Sequence, residues 1–188
     1  DAFNRDPARG LERLASAGLA PSPPSPADAA ALLRFCPGLS KDAVGDFLGE
    51  ADAFAVATLA AFGETFDFGG APFDAALRAF LSAFRLPGEA QKISRIMEVF
   101  GTRYAGANPG LFAHADAAYV LGYSAIMLNT DAHNAQVRRK MTAAEFVRNN
   151  RGINGGADLP PAFLEALYAS IVASPLALAT PDGAAAAA

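Results

Sequence analysis

Apolar residues recur at three- and four-residue intervals along nearly the whole chain, and proline, glycine or a capping polar residue closes each run. Leu11 and Leu14 lie between Asp6-Pro7, an N-cap with proline at the first helical position, and Gly18. A proline-rich link over 21–26 leads to a helix that Ser25-Pro26 starts and Pro37-Gly38 stops. Ser40 opens a short helix with Val44, Phe47 and Leu48 on one face, and residues 52–62 continue the pattern through Val56, Leu59 and Ala60. Phe66 to Gly70 reads as a loop. Ala71-Pro72 then starts a helix that carries Leu77, Phe80 and Leu81 and ends at Phe84. A helix from Glu89 to about Tyr104 presents Ile93, Ile96, Met97 and Phe100. Asn108-Pro109-Gly110 breaks the chain before an apolar helix from near Asp116 to Asp131. Thr142 and Glu145 form a capping box for a helix to about Asn150. After the Gly155-Gly156 loop, Pro160-Pro161 introduces a last helix through Phe163, Leu164, Leu167 and Ile171.

The pattern predicts an all-α fold of about ten short helices, with no period-2 strand and no internal repeat. Abundant alanine and few β-branched residues favour the same class. Short helices with one apolar face must stack to bury it. At 188 residues and 52% hydrophobic composition the chain holds one globular domain, over 1–175, and a low-complexity tail over 176–188. A split into two subdomains is compatible with that reading. The abrupt ends suggest a domain cut from a longer protein.

Composition narrows the function. A net charge of -4 argues against a general nucleic-acid binder. Cys36, the one cysteine, excludes an internal disulfide and reads as a small buried apolar residue. The longest uncharged apolar run, about 117–129, is too short to span a bilayer. Only His114 and His133 are present. Asp131 and His133 offer two metal ligands with no cluster to complete a site, so no metal or other cofactor is expected. Ser124, Asp131 and His133 make a hydrolytic triad only on paper, because Ser124 sits mid-helix among apolar residues. Arg138, Arg139, Lys140, Arg148 and Arg151 make a basic segment opposed by Glu145. It reads as a solvated helix face, with an anionic membrane or an acidic partner as the alternative.

The remaining charge that demands an account is Glu89. It follows Leu86-Pro87-Gly88 at a sharp link between two helices, where Pro87 disfavours helix at Leu86 and Gly88 permits unusual backbone. Taken alone, a first-turn glutamate complements the helix dipole. Phe84 to Ile93 reads FRLPGEAQKI, and about thirty residues on comes YVLGYSAIMLNTDAHN over 119–134. Together these resemble the two signature motifs of the Sec-seven domain, found in guanine-nucleotide exchange factors for ARF GTPases. FNRDPARGLERL, AVGDFLGE and FVRNNRGINGGADLP look like the same family, so the resemblance runs from about Phe3 to Val172.

The resemblance implies an all-α right-handed superhelix and a non-covalent exchange catalyst that makes no bonds. Glu89 would be the finger that competes with Mg²⁺ and repels the GDP β-phosphate. Arg85, Leu86, Pro87 and Gly88 would meet the GTPase, as would Tyr123, Ser124, Met127, Asn129, Asp131 and Asn134 along a hydrophobic groove. Val120, Leu121 and Leu128 read as core. Tyr123, Ser124, Asp131 and Met141 are of the type found in brefeldin-sensitive members, most like the large Golgi-associated subgroup. The expected partner is an ARF-family GTPase, GDP-bound or nucleotide-free. The expected location is the cytoplasmic face of Golgi or endosomal membranes, reached through the GTPase or through regions outside this chain. Two positions depart from the family pattern: Ser94 replaces the usual Asp, and Gly122 replaces a small non-glycine residue. The rival readings are a helical binding scaffold without exchange activity and, more remotely, a hydrolase centred on Asp131 and His133.

Overall fold

The computed structural model describes residues 2–18 and 23–177. Among these lie ten helices and no strand: α1 (Ala2–Arg5), α2 (Pro7–Ser16), α3 (Pro26–Phe35), α4 (Lys41–Leu48), α5 (Ala53–Glu64), α6 (Phe73–Leu81), α7 (Ala90–Ala107), α8 (Ala115–His133), α9 (Ala143–Asn149) and α10 (Pro161–Ala173). The expected caps form, and Asp52 adds one that was not expected. Asp6, Ser25, Ser40, Asp52 and Thr142 each accept from a first-turn backbone N–H, and Ser25 and Thr142 complete capping boxes with Asp28 and Glu145. No helix is long and apolar enough to cross a membrane. Most of the tail expected over 176–188 lies outside the described residues, but Leu176 is buried.

The chain divides into two compact units, with the divide running through α6 after Ala79 and α7 after Ile93. The first holds the described residues up to 65 and Phe80–Ile93. Its centre is an aromatic triangle of Phe62, Phe80 and Phe84, with ring centroids 5.2 to 6.3 Å apart. Helix α3 packs against α5 beside it. Three expectations are corrected here. Cys36, read as buried, is exposed at the C-cap of α3. The buried row of α5 is Ala55, Thr58, Leu59, Phe62 and Gly63, so Val56 and Ala60 face solvent. Helix α6 stops at Leu81, not Phe84, because the backbone leaves the helix to bond α4: the Arg85 N–H donates to the Lys41 carbonyl at 2.9 Å. Phe84 stays buried by closing the triangle.

The second unit holds Phe66–Ala79 and Ser94–Leu176. Phe68, Phe73, Phe100 and Tyr104 cluster at its core, and the Tyr104 hydroxyl donates to the Ala71 carbonyl at 2.8 Å. Helix α10 packs on α8 and α9. Arg78 closes its C-terminal end, donating to the carbonyls of Ser170, Ser174 and Pro175.

Candidate functional site

In the first unit, α4 acts as a platform for residues 85–89. The Arg85 guanidinium pairs with Asp42 at 2.5 Å while the Arg85 backbone bonds Lys41. Gly45 makes that approach possible: a Cβ there would stand 1.8 Å from the Arg85 carbonyl oxygen. Arg85, read as a GTPase contact, is thus occupied within the fold and orients the link. Pro87 is likewise buried and does not offer a contact surface. Leu86 is half-buried. Gly88 is exposed but needs no special backbone: its φ is not positive, and a Cβ would meet nothing within 4 Å.

The stiffness of the link therefore comes from Pro87 and from its anchorage on α4. At its tip Glu89 opens α7, accepting the Ile93 N–H at 3.0 Å. Its side chain is 73% exposed and stands 3.7 Å from the Lys92 ammonium. Lys92 in turn holds Glu50 at 2.8 Å, and a Cβ on Gly49 would lie 2.8 Å from the lysine stem. Asp42, Gly45, Gly49, Glu50 and Lys92 were not singled out from sequence. The available signal was glycine inside so short a helix as AVGDFLGE.

In the second unit, α8 turns Leu121, Ala125 and Leu128 inward. Its outward row runs through Val120, Tyr123, Ser124, Met127 and Asp131, the three- and four-residue spacing of one helix face. Met127 is 65% exposed. Val120 is 40% exposed and does not belong to the core as expected. Asn129 corrects a second expectation. It is buried, and its side-chain oxygen accepts the Leu176 N–H at 2.7 Å, so it holds the end of the unit together and is not on the outward row.

Tyr119 and Tyr123 stack edge to face at 5.3 Å. Burial, then the neighbouring Tyr119, push the Tyr123 hydroxyl above the usual tyrosine range, while Ser94 pulls it back by hydrogen bonding. Ser94 is also 2.8 Å from the Tyr119 hydroxyl, so the departure from the usual Asp is absorbed by the two tyrosines. At Gly122 the Met97 methyl fills the side-chain space, 2.5 Å from where a Cβ would be.

The segment after α8 folds back on its C-terminus. Asp131 accepts the Met141 N–H at 2.7 Å, uniting two residues ten apart in sequence. Lys140 donates to the carbonyls of Asp131 and Asn134, placing its charge at the negative end of the helix. The Asn134 side chain accepts the Gln136 N–H at 2.9 Å, and the residue is exposed. Asp131 and Met141 share the wall of a 320 Å³ cavity with Arg139, Lys140, Glu145, Arg148 and Asn149. Arg139 and Arg148 both reach Glu145, so much of the basic segment is engaged locally. His133 lies 2.8 Å from the Ile171 carbonyl. The two side chains are thus engaged apart, Asp131 with Met141 and His133 beside Ile171. No group of three side chains suited to holding a metal occurs among the described residues.

The profile of the Sec7 domain family matches residues 1–176. The ARF guanine-nucleotide exchange factor GNOM of Arabidopsis thaliana is 54% identical over 171 residues, 91% of this chain and 12% of that protein. Brefeldin A-inhibited guanine nucleotide-exchange protein 2 of the same plant is 52% identical over 169 residues, 90% of this chain and 9% of that protein. The chain thus spans about a tenth of the length of these relatives. The crystal structure of the Sec7p catalytic domain superposes with a TM-score of 0.85 at 46% identity, covering 92% of this chain and 93% of that one. A Sec7 domain bound to ARF1-GDP and complexed with brefeldin A also gives 0.85, at 38% identity over 94% of this chain and 89% of that one. Matched by one family profile over nearly its whole described length and sharing about half its residues with curated members, the chain belongs to the Sec7 domain family.

Proposed function

We propose that this domain catalyses GDP release from ARF-family GTPases with Glu89 as the group that destabilises bound nucleotide. The observation that carries this reading is the presentation of Glu89: a carboxylate 73% exposed, at the start of α7, on a link fixed to α4 by an ion pair, a backbone bond and a close glycine contact. A group that must enter a partner's site has to be both exposed and held, and Glu89 is both. A carboxylate about 4 Å from a phosphate oxygen costs on the order of 4 kcal/mol at an effective dielectric of 20. Borne by the GDP-bound state alone, that penalty speeds release about a thousandfold. Displacing Mg²⁺ acts in the same direction, since the ion is the main charge neutralising the phosphates. No bond is made or broken.

The outward row of α8, with exposed Met127 and half-buried Tyr123, Ser124 and Asp131, and then Asn134, is the surface we assign to the GTPase. Leu86 and Gly88 complete the contact, while Arg85, Pro87 and Asn129 serve the fold. Tyr123, Ser124, Asp131 and Met141 are assigned to brefeldin A, in keeping with relatives named as inhibited by it. The full-length protein is placed on Golgi or endosomal membranes as a peripheral protein.

Stopped-flow release of a fluorescent GDP analogue from a soluble ARF tests the proposal. Catalytic amounts of the domain should accelerate release well above the spontaneous rate, and excess Mg²⁺ should blunt the effect. A domain that binds ARF yet leaves the release rate unaltered for every isoform is the scaffold alternative, and the proposal then fails.

A further inference from the structure

The Glu89 carboxylate is not alone at the tip of α7. One ammonium, that of Lys92, stands 3.7 Å from a Glu89 oxygen and 2.8 Å from a Glu50 oxygen. The three side chains differ in freedom: Lys92 is 15% exposed, Glu50 51% and Glu89 73%. The lysine stem lies against Gly49, the residue before Glu50, where even one methyl group would collide with it. Its ammonium therefore has little room to follow either carboxylate, and the two acids compete for a nearly fixed charge. We propose that Glu50 is a positioning residue for Glu89: by occupying Lys92, which would otherwise restrain Glu89, it leaves the Glu89 carboxylate free to move into the partner.

This inference deepens the exchange reading and rests on it. The geometry ranks the two pairs, since the shorter contact also carries a hydrogen bond and the longer one does not. The Lys92 pKa is raised, first by its hydrogen bond to Glu50 and then, against desolvation, by the charges of Glu50, Glu89 and Asp46. Asp46, one turn before Glu50, is the third acid facing this ammonium. Exposed pairs of this kind change equilibria by small factors, so the expected effects are modest but measurable.

The test has two arms. In the free domain, the Lys92 pKa is followed by NMR through its side-chain ¹³Cε in wild type, Glu50→Gln, Glu89→Gln and the double variant. Neutralising Glu89 should lower the Lys92 pKa little in wild type and distinctly more in the Glu50→Gln background. Equal effects in both backgrounds would show that the acids do not compete, and the proposal would be overturned without any bearing on exchange.

In the second arm, GDP release from ARF is measured under saturating and subsaturating domain, with melting curves for every variant. Glu50→Gln should slow the saturated rate about two- to fivefold with an unchanged half-saturation concentration, because Lys92 then holds Glu89 alone. Added salt should recover much of the loss. Replacing the ammonium as well, in Glu50→Gln/Lys92→Met, should restore the wild-type rate, which a merely structural role for Glu50 does not predict. A double variant as slow as Glu50→Gln overturns the proposal. A Glu89→Gln variant that exchanges like wild type would instead remove the reading beneath it.

Discussion

Replacing Gly45 with alanine tests whether α4 sets the position of Glu89. The added Cβ would lie 1.8 Å from the Arg85 carbonyl oxygen and 2.9 Å from its carbon, where contacts below 3.0 Å essentially never occur. The obstacle is backbone, so no side chain can rotate away. Arg85 must recede by about 1.2 Å, against its bond to Lys41 and its pair with Asp42. Overpacking of this kind costs about 1–3 kcal/mol. Alanine returns roughly 1 kcal/mol through its better helix propensity. The net loss of about 0–2 kcal/mol lowers the melting temperature by no more than about 8 °C at roughly 2–4 °C per kcal/mol. Catalysis should suffer more, because a displacement of about 1 Å in a positioned group costs on the order of a hundredfold. Thermal unfolding and GDP release measured side by side should therefore show a folded protein with exchange reduced about 10- to 100-fold. Gly106→Ala is the control, since a Cβ there meets nothing within 4 Å, and it should leave exchange unchanged. A Gly45→Ala domain that exchanges at the wild-type rate refutes the idea that α4 aims the finger.

Three further outcomes follow from other parts of the molecule. Brefeldin A should retard GDP release from ARF by the wild-type domain and should do so less for Met141→Ala; no inhibition of wild type would remove the drug assignment. Asn129→Leu leaves the buried Leu176 N–H without its acceptor, so stability should fall by about 1–3 kcal/mol in urea titration, and an unchanged midpoint would show that Asn129 is dispensable. The Glu145 carboxyl is held below its usual range, first by the Thr142 backbone N–H, then by the Thr142 hydroxyl and Arg139. Its folded pKa lies below the unfolded one, so the capping contribution is present above about pH 4.5 and disappears as pH falls through the lower folded value. Melting curves at pH 7 should separate wild type from Glu145→Gln, and the gap should close at acid pH; a gap independent of pH contradicts this.

Helix starts were legible because capping is local: Asp6, Ser25, Ser40 and Thr142 carry their signal within three residues of the groups they satisfy. Helix ends and faces were less so. The end of α6 depends on Lys41, which captures Arg85 from far away in sequence, and the face of α5 depends on which neighbours cover it. At the site, the position of Glu89 at a helix start follows from the Pro87-Gly88 link, whereas the row on α8 was implied by the resemblance, with spacing adding only that residues 123, 127 and 131 share a face. The roles of Arg85, Asn129 and Asp131 follow from neither. Each has a partner 10 to 47 residues distant, Asp42, Leu176 and Met141, and no periodicity reports such pairs. Glycine misled in both directions. Gly88 looked conformationally necessary and is not, while Gly45, which drew no notice in the sequence, is what admits the link.

The central claim is that the charge of Glu89 drives nucleotide release. It is tested most directly by measuring GDP release from one ARF preparation with wild-type domain and with Glu89→Lys, alongside capture of the same ARF by each. The account predicts that charge reversal abolishes acceleration while the variant still binds ARF and melts like wild type, since the side chain is 73% exposed and has only an ion pair 3.7 Å long to lose. Equal acceleration by both domains would contradict it.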